Sequence, residues 1–542
     1  MNSNRRYFIE PSLDGSRYAE IEELEAQYTE VKYDINSTIP NKAAGIAVEV
    51  RQDNEGNVTG ALVDGSDTNT IIVSNSGAGK TTRVLSQYIL SCIFAKQSMV
   101  IHDPKSDLYM YFSKLLKKRG YNVKILNFRD PSTGDSFNSF EKDARLWKAG
   151  NQGRAIELAR NGAETLFAPI EDVNDKFWTE SAINLFLCYF IIACELYEPE
   201  CVTLGTIYRI HIEGMEKIEP AKTSMQVYLD EHKDSLAYEL GSPTFNGPNE
   251  TRNSIFCVFS NGIARVILNE DIADLTTKST FEIDDMVKDD KPMALFIITR
   301  DEAPKACATL VSSIVDMIYT SLIDLAQKEF NNCLPRTVHF VLEEFGNIAK
   351  LENINDMMTA SRSRNIRLVI VMQSLCQLYL NYSKEMAHVL IGNSQNLIYM
   401  ASSDMELVSM ISKRCGRIYD DYAKESRPLL SPERLTHLDK SKGETLMLLD
   451  RNYPHMVNLP YISAYKMIEP LEKVEFEKRE RLDIPKGLLT EAVKKIKDKK
   501  MKKLLEEEET EAKKQQMTRR KMVELPKEFA SKMNEMIKEV IG

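Results

Sequence analysis

The chain has 542 residues, 43% hydrophobic and 28% charged, with a net charge of −10. That composition excludes a fibrous or wholly disordered chain, and at roughly 150 residues per domain it predicts two to four domains. The negative balance excludes a molecule that attracts nucleic acid over its whole surface, so any such contact must be local. Nine cysteines are scattered singly from Cys92 to Cys415 with no CxxC pair. Neither a zinc site nor a disulfide framework is expected, and a reducing cytosol fits.

Residues 1–45 are polar and mixed, and Met1 to Tyr33 carries no apolar signal region. From Ala47 the pattern predicts two strands joined by a turn near Glu55-Gly56-Asn57. Thr70 to Val73 is a short β-rich run that ends in a glycine-bearing loop. A helix is predicted at about 80–95, with Val84, Leu85, Tyr88, Ile89 and Cys92 on one face. A strand at Ser98–His102, a helix at about 106–119 and a strand at Tyr121–Leu126 continue the alternation of a parallel α/β sheet.

Between about 143 and 275 the period becomes helical, with pieces near 151–167, 176–197, 203–215, 222–238 and 250–268. Pro169, Pro199, Pro220, Pro243 and Pro248 are expected between them. The apolar stretch Ala182–Cys194, 13 residues holding Asn184, is too short for a membrane span and reads as a buried helix. The chain reads as soluble, and a membrane role would need a separate anchor. Strands return at Met293–Thr299, Thr337–Leu342, Arg367–Met372 and Asn396–Met400, with a long helix at about 303–328 and another at 404–415.

Residues 471–542 hold 20 Lys/Arg and 16 Asp/Glu, a net of +4, which leaves −14 for the rest. They read as a solvated helix or disordered tail, with docking of a partner as the alternative. The expected organisation is an N-terminal polar segment (1–45), an α/β motor domain (46–142 and 276–470), an inserted all-α domain (143–275) and a charged tail (471–542).

Ser74-Asn75-Ser76-Gly77-Ala78-Gly79-Lys80-Thr81 fits the phosphate-loop pattern GxxxxGK[ST], with Ser74 at the first glycine. Gly77 and Gly79 let successive backbone N–H groups face one centre, and the helix dipole behind them adds positive potential. Ser76 to Thr82 would line the phosphates of ATP. Lys80 would reach the β- and γ-phosphates and the Thr81 hydroxyl would ligate Mg²⁺. Hydrolysis needs a second acidic strand, and His339-Phe340-Val341-Leu342-Glu343-Glu344 supplies it. Glu343 would hold Mg²⁺ through water, and Glu344 would orient and deprotonate the attacking water. Gln373, closing the strand Arg367–Met372, would face the γ-phosphate. In Ser361-Arg362-Ser363-Arg364 one arginine could act in trans on a neighbour's nucleotide, or contact phosphate, DNA or a surface carboxylate.

These pieces together resemble the VirD4/TraG family of type IV secretion coupling proteins over about residues 65–465. The phosphate loop, His102 to Tyr109 (like DPKGELY, with Ser106 for glycine), Lys176 to Ala182, Glu343 to Ile348 (like DEFxNL) and the block from Ser361 to Leu378 carry the likeness in order. The resemblance implies a RecA-like motor bearing an all-α domain, and a homo-hexamer with ATP at its interfaces. Such an interface needs an arginine finger reaching the neighbour's nucleotide, and Arg362 is the better match to it, with Arg364 second. It implies relaxase-bound single-stranded DNA as cargo, handed to a type IV secretion channel at the inner face of the plasma membrane. Most members carry N-terminal transmembrane helices. This sequence resembles the soluble branch, where a separate small membrane protein would supply the anchor. The competing readings are an ATP-binding docking receptor that does not translocate cargo, a motor exporting protein effectors, and a chromosome pump of the FtsK/HerA kind. The DPK segment and the helical insertion argue against the last.

Overall fold

Short runs rich in β-branched and aromatic residues become strands, because such side chains pack well on a pleated surface. In the computed structural model, which describes residues 15–167, 176–218, 222–300, 305–351, 353–420 and 424–541, there are fourteen of them among the described residues. They are β1 (Thr29–Lys32), β2 (Ile46–Gln52), β3 (Val58–Asp64), β4 (Thr70–Ser74), β5 (Ser98–His102), β6 (Asn122–Asn127) and β7 (Met293–Ile298). There follow β8 (Val338–Leu342), β9 (Ile366–Met372), β10 (Asn396–Ala401), β11 (Arg417–Asp420), β12 (Glu425–Pro428), β13 (Glu444–Leu449) and β14 (His455–Asn458).

Nine strands form one sheet in the order β14-β13-β10-β4-β9-β8-β5-β7-β6. From β10 to β6 every neighbouring pair is parallel, and β13 and β14 close one edge antiparallel. The central strands β4, β5, β7 and β8 are buried along their whole length. Helices on both faces cause this, and it explains why these strands read as continuous apolar runs rather than alternating ones. Register then fixes the chemistry. β9 lies between β4 and β8, so the loops after these three strands emerge side by side at the carboxyl edge of the sheet, where α/β sheets hold their ligands.

Nearly everything between β6 and β7 is helix. The hub is Lys176–Leu196, whose residues 185–194 are all buried and which packs against the helices Gln152–Phe167, Leu204–Met215, Leu236–Asn246 and Asn249–Ile267. This helix and Cys307–Glu329 are long and apolar enough to cross a membrane, and 67% and 72% of their most apolar stretches are buried inside the protein.

The structure departs from the sequence expectation in several places. The stretch read as polar before residue 45 supplies β1, which pairs antiparallel with β3 and buries Val31. Leu24, Val31 and Tyr33 are too widely spaced to show a period, yet all three are buried. Pro243 sits inside the helix Leu236–Asn246 rather than between helices. β13 and β14 were not foreseen. The charged tail begins as extended chain tied to the loop after β6 and to the helical insertion: Gly134 N donates to Glu477 O at 2.9 Å, and Arg479 forms a buried ion pair with Asp274 at 3.2 Å. Its helix, Leu488–Ile541, is anchored by the buried side chains Leu489 and Val493. Residues 1–14, Pro169, Pro220 and the first two residues of the predicted helix at 303–328 lie outside the described residues.

Candidate nucleotide-binding site

The loop after β4 has the backbone that its glycines permit. Gly77 and Gly79 have φ of +73° and +98°, a region L side chains rarely occupy. Ser74, standing where the pattern has its first glycine, is buried at the end of β4 and is not among the residues with positive φ. The serine is tolerated because this position needs no left-handed turn. From Lys80 the chain enters a widened turn, Lys80–Leu85, in which the Ser86 N–H bonds the Thr81 carbonyl. Such turns recur at functional sites.

Three strand ends converge on this loop. From β8, Glu343 and Glu344 emerge with relative exposures of only 3% and 8%. Thr81 Oγ1 donates to Glu343 Oε1 at 2.6 Å. The Lys80 ammonium is paired with the Glu344 carboxylate. From β9, Gln373 Nε2 donates to Glu344 Oε2 at 2.9 Å, so both oxygens of Glu344 are engaged. Gln373 is itself fixed by the bond from its backbone N–H to Gln377 Oε1 at 3.0 Å. Gly346 leaves room for that glutamine, since a β-carbon there would fall 2.8 Å from Gln377 Cβ.

The two acids differ in charge behaviour. Burial pushes the Glu343 carboxyl above its ordinary range, and the Thr81 bond and the Lys80 charge only partly oppose this. Burial acts on Glu344 as well, but its bond to Lys80, the Lys80 charge, Gln373 and the Lys105 charge outweigh it and hold this carboxyl below the usual value. Glu344 has φ +51°, a strained conformation for a glutamate. A neutral His102 braces the preceding peptide: its Nδ1–H donates to the Glu343 carbonyl at 2.6 Å, and its Nε2 accepts from the Thr299 hydroxyl at 3.2 Å. Burial lowers its pKa to about 4.

The site expectations divide by sheet edge. Lys80, Thr81, Glu343, Glu344 and Gln373 meet at one place. Ser76, Gly77, Ala78 and Gly79 form the loop crest, and the Thr82 hydroxyl turns back to the Gly79 carbonyl at 3.5 Å. Arg362 lies elsewhere, just before β9 and therefore at the amino edge of the sheet. There its Nε donates to Asp67 O at 2.9 Å and its Nη2 to Asp67 Oδ1 at 3.3 Å. It cannot reach the phosphate loop of its own chain. Sequence reasoning missed His102 and Lys105, although both stand in the segment that carried the family resemblance.

Glu343 Oε2 is buried with no hydrogen-bond partner. A hard divalent cation fits this donor set, a hydroxyl and a carboxylate with a free oxygen. Strand order, phosphate loop and twin acids define the class: a P-loop nucleoside-triphosphatase fold of the RecA-like kind with a helical insertion. The family model "Type IV secretory system Conjugative DNA transfer" matches residues 19–458, and the chain belongs to that family. Protein VirD4 of Rhizobium rhizogenes is 21% identical over 411 residues, 71% of this chain and 57% of the relative. Conjugal transfer protein TraG of Escherichia coli is 23% identical over 349 residues, 62% of this chain and 52% of the relative. The chain thus spans a little over half the length of these relatives. The plasmid coupling protein TrwB, solved in complex with ADP and Mg²⁺, superposes with a TM-score of 0.60 at 17% identity, covering 87% of this chain and 97% of that one. Its complex with the ATP analogue ADPNP gives 0.59 at 17% identity, covering 86% and 96%. At that identity the likeness is one of fold.

Proposed function

We propose that this chain is an ATP-hydrolysing coupling protein that recruits relaxase-bound single-stranded DNA and drives it to a type IV secretion channel during conjugative transfer. The observation that carries the reading is the chain of contacts Gln373–Glu344–Lys80 beside Thr81–Glu343, built from three adjacent strand ends around a phosphate loop. Family membership and the nucleotide complexes of TrwB support it.

In this reading the phosphates of ATP lie on the backbone N–H groups of Ser76 to Thr82. The Thr81 hydroxyl and Glu343 would hold Mg²⁺, which when bound would offset the negative charge of the phosphates. Lys80 exchanges its bond with Glu344 for one to the phosphates. Glu344 is then released on one oxygen and still held by Gln373 on the other, which aims the freed oxygen. A water placed there gives its proton to Glu344 as its oxygen bonds the γ-phosphorus, and ADP leaves. Arg362 of a neighbouring subunit in a homo-hexamer supplies positive charge from outside. The protein works at the cytoplasmic face of the membrane that holds the secretion channel.

The test is the ATPase rate of the full chain with and without single-stranded DNA, with mass by light scattering. DNA-stimulated hydrolysis that Lys80→Ala and Glu344→Gln abolish is expected. A rate that neither change alters contradicts the reading. Transfer still supported by Glu344→Gln would favour a docking receptor instead.

A further inference from the structure

A second lysine stands over the phosphate loop, 360 residues downstream of the one in the motif. It belongs to the turn before β13, which is stiffened from within. The Asp439 carboxylate accepts from Ser441 N at 2.9 Å, Ser441 Oγ at 2.6 Å and Lys442 N at 3.3 Å. The Asp439 N–H is tied to Glu444 Oε2 at 2.8 Å. Gly443 closes the turn at φ +69°, donating to the Lys440 carbonyl at 3.1 Å.

The turn is also fastened to the loop's own helix. Arg83, three residues after Lys80, donates to the carbonyls of Leu459, Ser441 (3.2 Å) and Lys440 (3.4 Å), and lies 5.6 Å from the ring centre of Tyr461. No β-carbon fits at Gly443, because it would collide with Leu459 O and with that guanidinium. Held in this way, the turn brings the Lys440 ammonium over the loop, 4.0 Å from where a β-carbon on Gly77 would sit. No carboxylate among the described residues pairs with Lys440, whereas Lys442 beside it is paired with Asp439 at 3.4 Å.

A free ammonium held by a braced turn over a glycine-bearing phosphate loop is suited to a polyanion, and to a chain of phosphates above all. We infer that Lys440 is a second phosphate-binding lysine of this site, contacting the phosphate chain of the nucleoside triphosphate from the solvent side, opposite Lys80. This rests on the reading of the loop as a nucleotide site. It also gives the antiparallel edge of the sheet a part in nucleotide binding, since the turn leads directly into β13.

The test is a fluorescence-anisotropy titration of the full chain with N-methylanthraniloyl ATP and Mg²⁺, at two salt concentrations. Lys440→Ala is expected to weaken binding about tenfold, the ordinary worth of a charge-assisted hydrogen bond. It should also flatten the salt dependence. Lys440→Arg should restore most of the affinity, and Lys442→Ala should leave it unchanged. Affinity and salt dependence of Lys440→Ala equal to wild type, while Lys80→Ala abolishes binding, would overturn the assignment of Lys440 alone. Failure of the wild type to bind, or a Lys80→Ala variant that binds as well as wild type, would overturn the nucleotide site and this inference with it.

Discussion

The two ends of β9 differ in burial and in the partners they hold. At its carboxyl end Gln373 is locked into a buried polar network with Glu344 and Lys80. At its amino end Arg362 is partly exposed and rests on Asp67 of an exposed loop. The strand is seven residues long, roughly 23 Å at about 3.3 Å per residue. The two ends are therefore too far apart to serve one site within the same subunit.

The sharpest attempt to break this contrast is Arg362→Ala. In the ring reading it should lower ATP turnover by about 10³-fold with nucleotide affinity nearly intact. Mixing it with Lys80→Ala subunits should restore part of the rate, since each supplies what the other lacks. No recovery at any ratio, in rings shown to mix by light scattering, would detach the amino edge from catalysis. Glu344→Gln tests the carboxyl edge, with an expected fall of about 10²- to 10⁴-fold in turnover and retained ATP binding by calorimetry. Gly79→Ala forces a left-handed backbone on alanine and crowds Arg83, which lies 3.1 Å from the new carbon. It should cost about 1–2 kcal/mol of stability in denaturant unfolding.

The helical insertion offers a pH test independent of nucleotide. Asp143, in the helix Glu141–Lys148, is buried with Oδ2 unpartnered, and burial pushes its carboxyl up to about 8 despite the nearby charges of Lys142 and Arg154. Folded chains then hold a proton that unfolded chains have lost. Stability from this group is full at low pH and falls between about pH 4 and pH 8, by at most about 1.4 kcal/mol per pH unit. Asp143→Asn should flatten that slope in urea unfolding, and an unchanged slope would place the carboxyl in contact with water. The smallest expected effect is that of Ser74→Gly. Because Ser74 has no left-handed backbone to relieve, nucleotide affinity should change less than about twofold.

Much of this was legible in the residues. A loop of glycines between an apolar run and a helical period, and two acids closing another apolar run, are local patterns. Counting along β9 was enough to separate Arg362 from Gln373. The pairing of Lys80 with Glu344 was not legible, because it joins residues 264 apart through strand order alone. Lys440 had no local signal either, since its position depends on Arg83 and a turn far along the chain. The edge strand β13 escaped because Thr445 to Leu449 is a short apolar run that suits strand and buried helix equally. The early strand β1 escaped because four mostly exposed residues show no period.

In the proposed cycle the Lys80–Glu344 bond opens to admit a triphosphate. A crystal structure of the full chain with a non-hydrolysable ATP analogue and Mg²⁺ examines this directly. It should show Lys80 on the phosphates, Thr81 and Glu343 on the metal side, and Glu344, still held by Gln373, beside the γ-phosphate. Nucleotide bound elsewhere, with Lys80 still turned to residue 344, would contradict it.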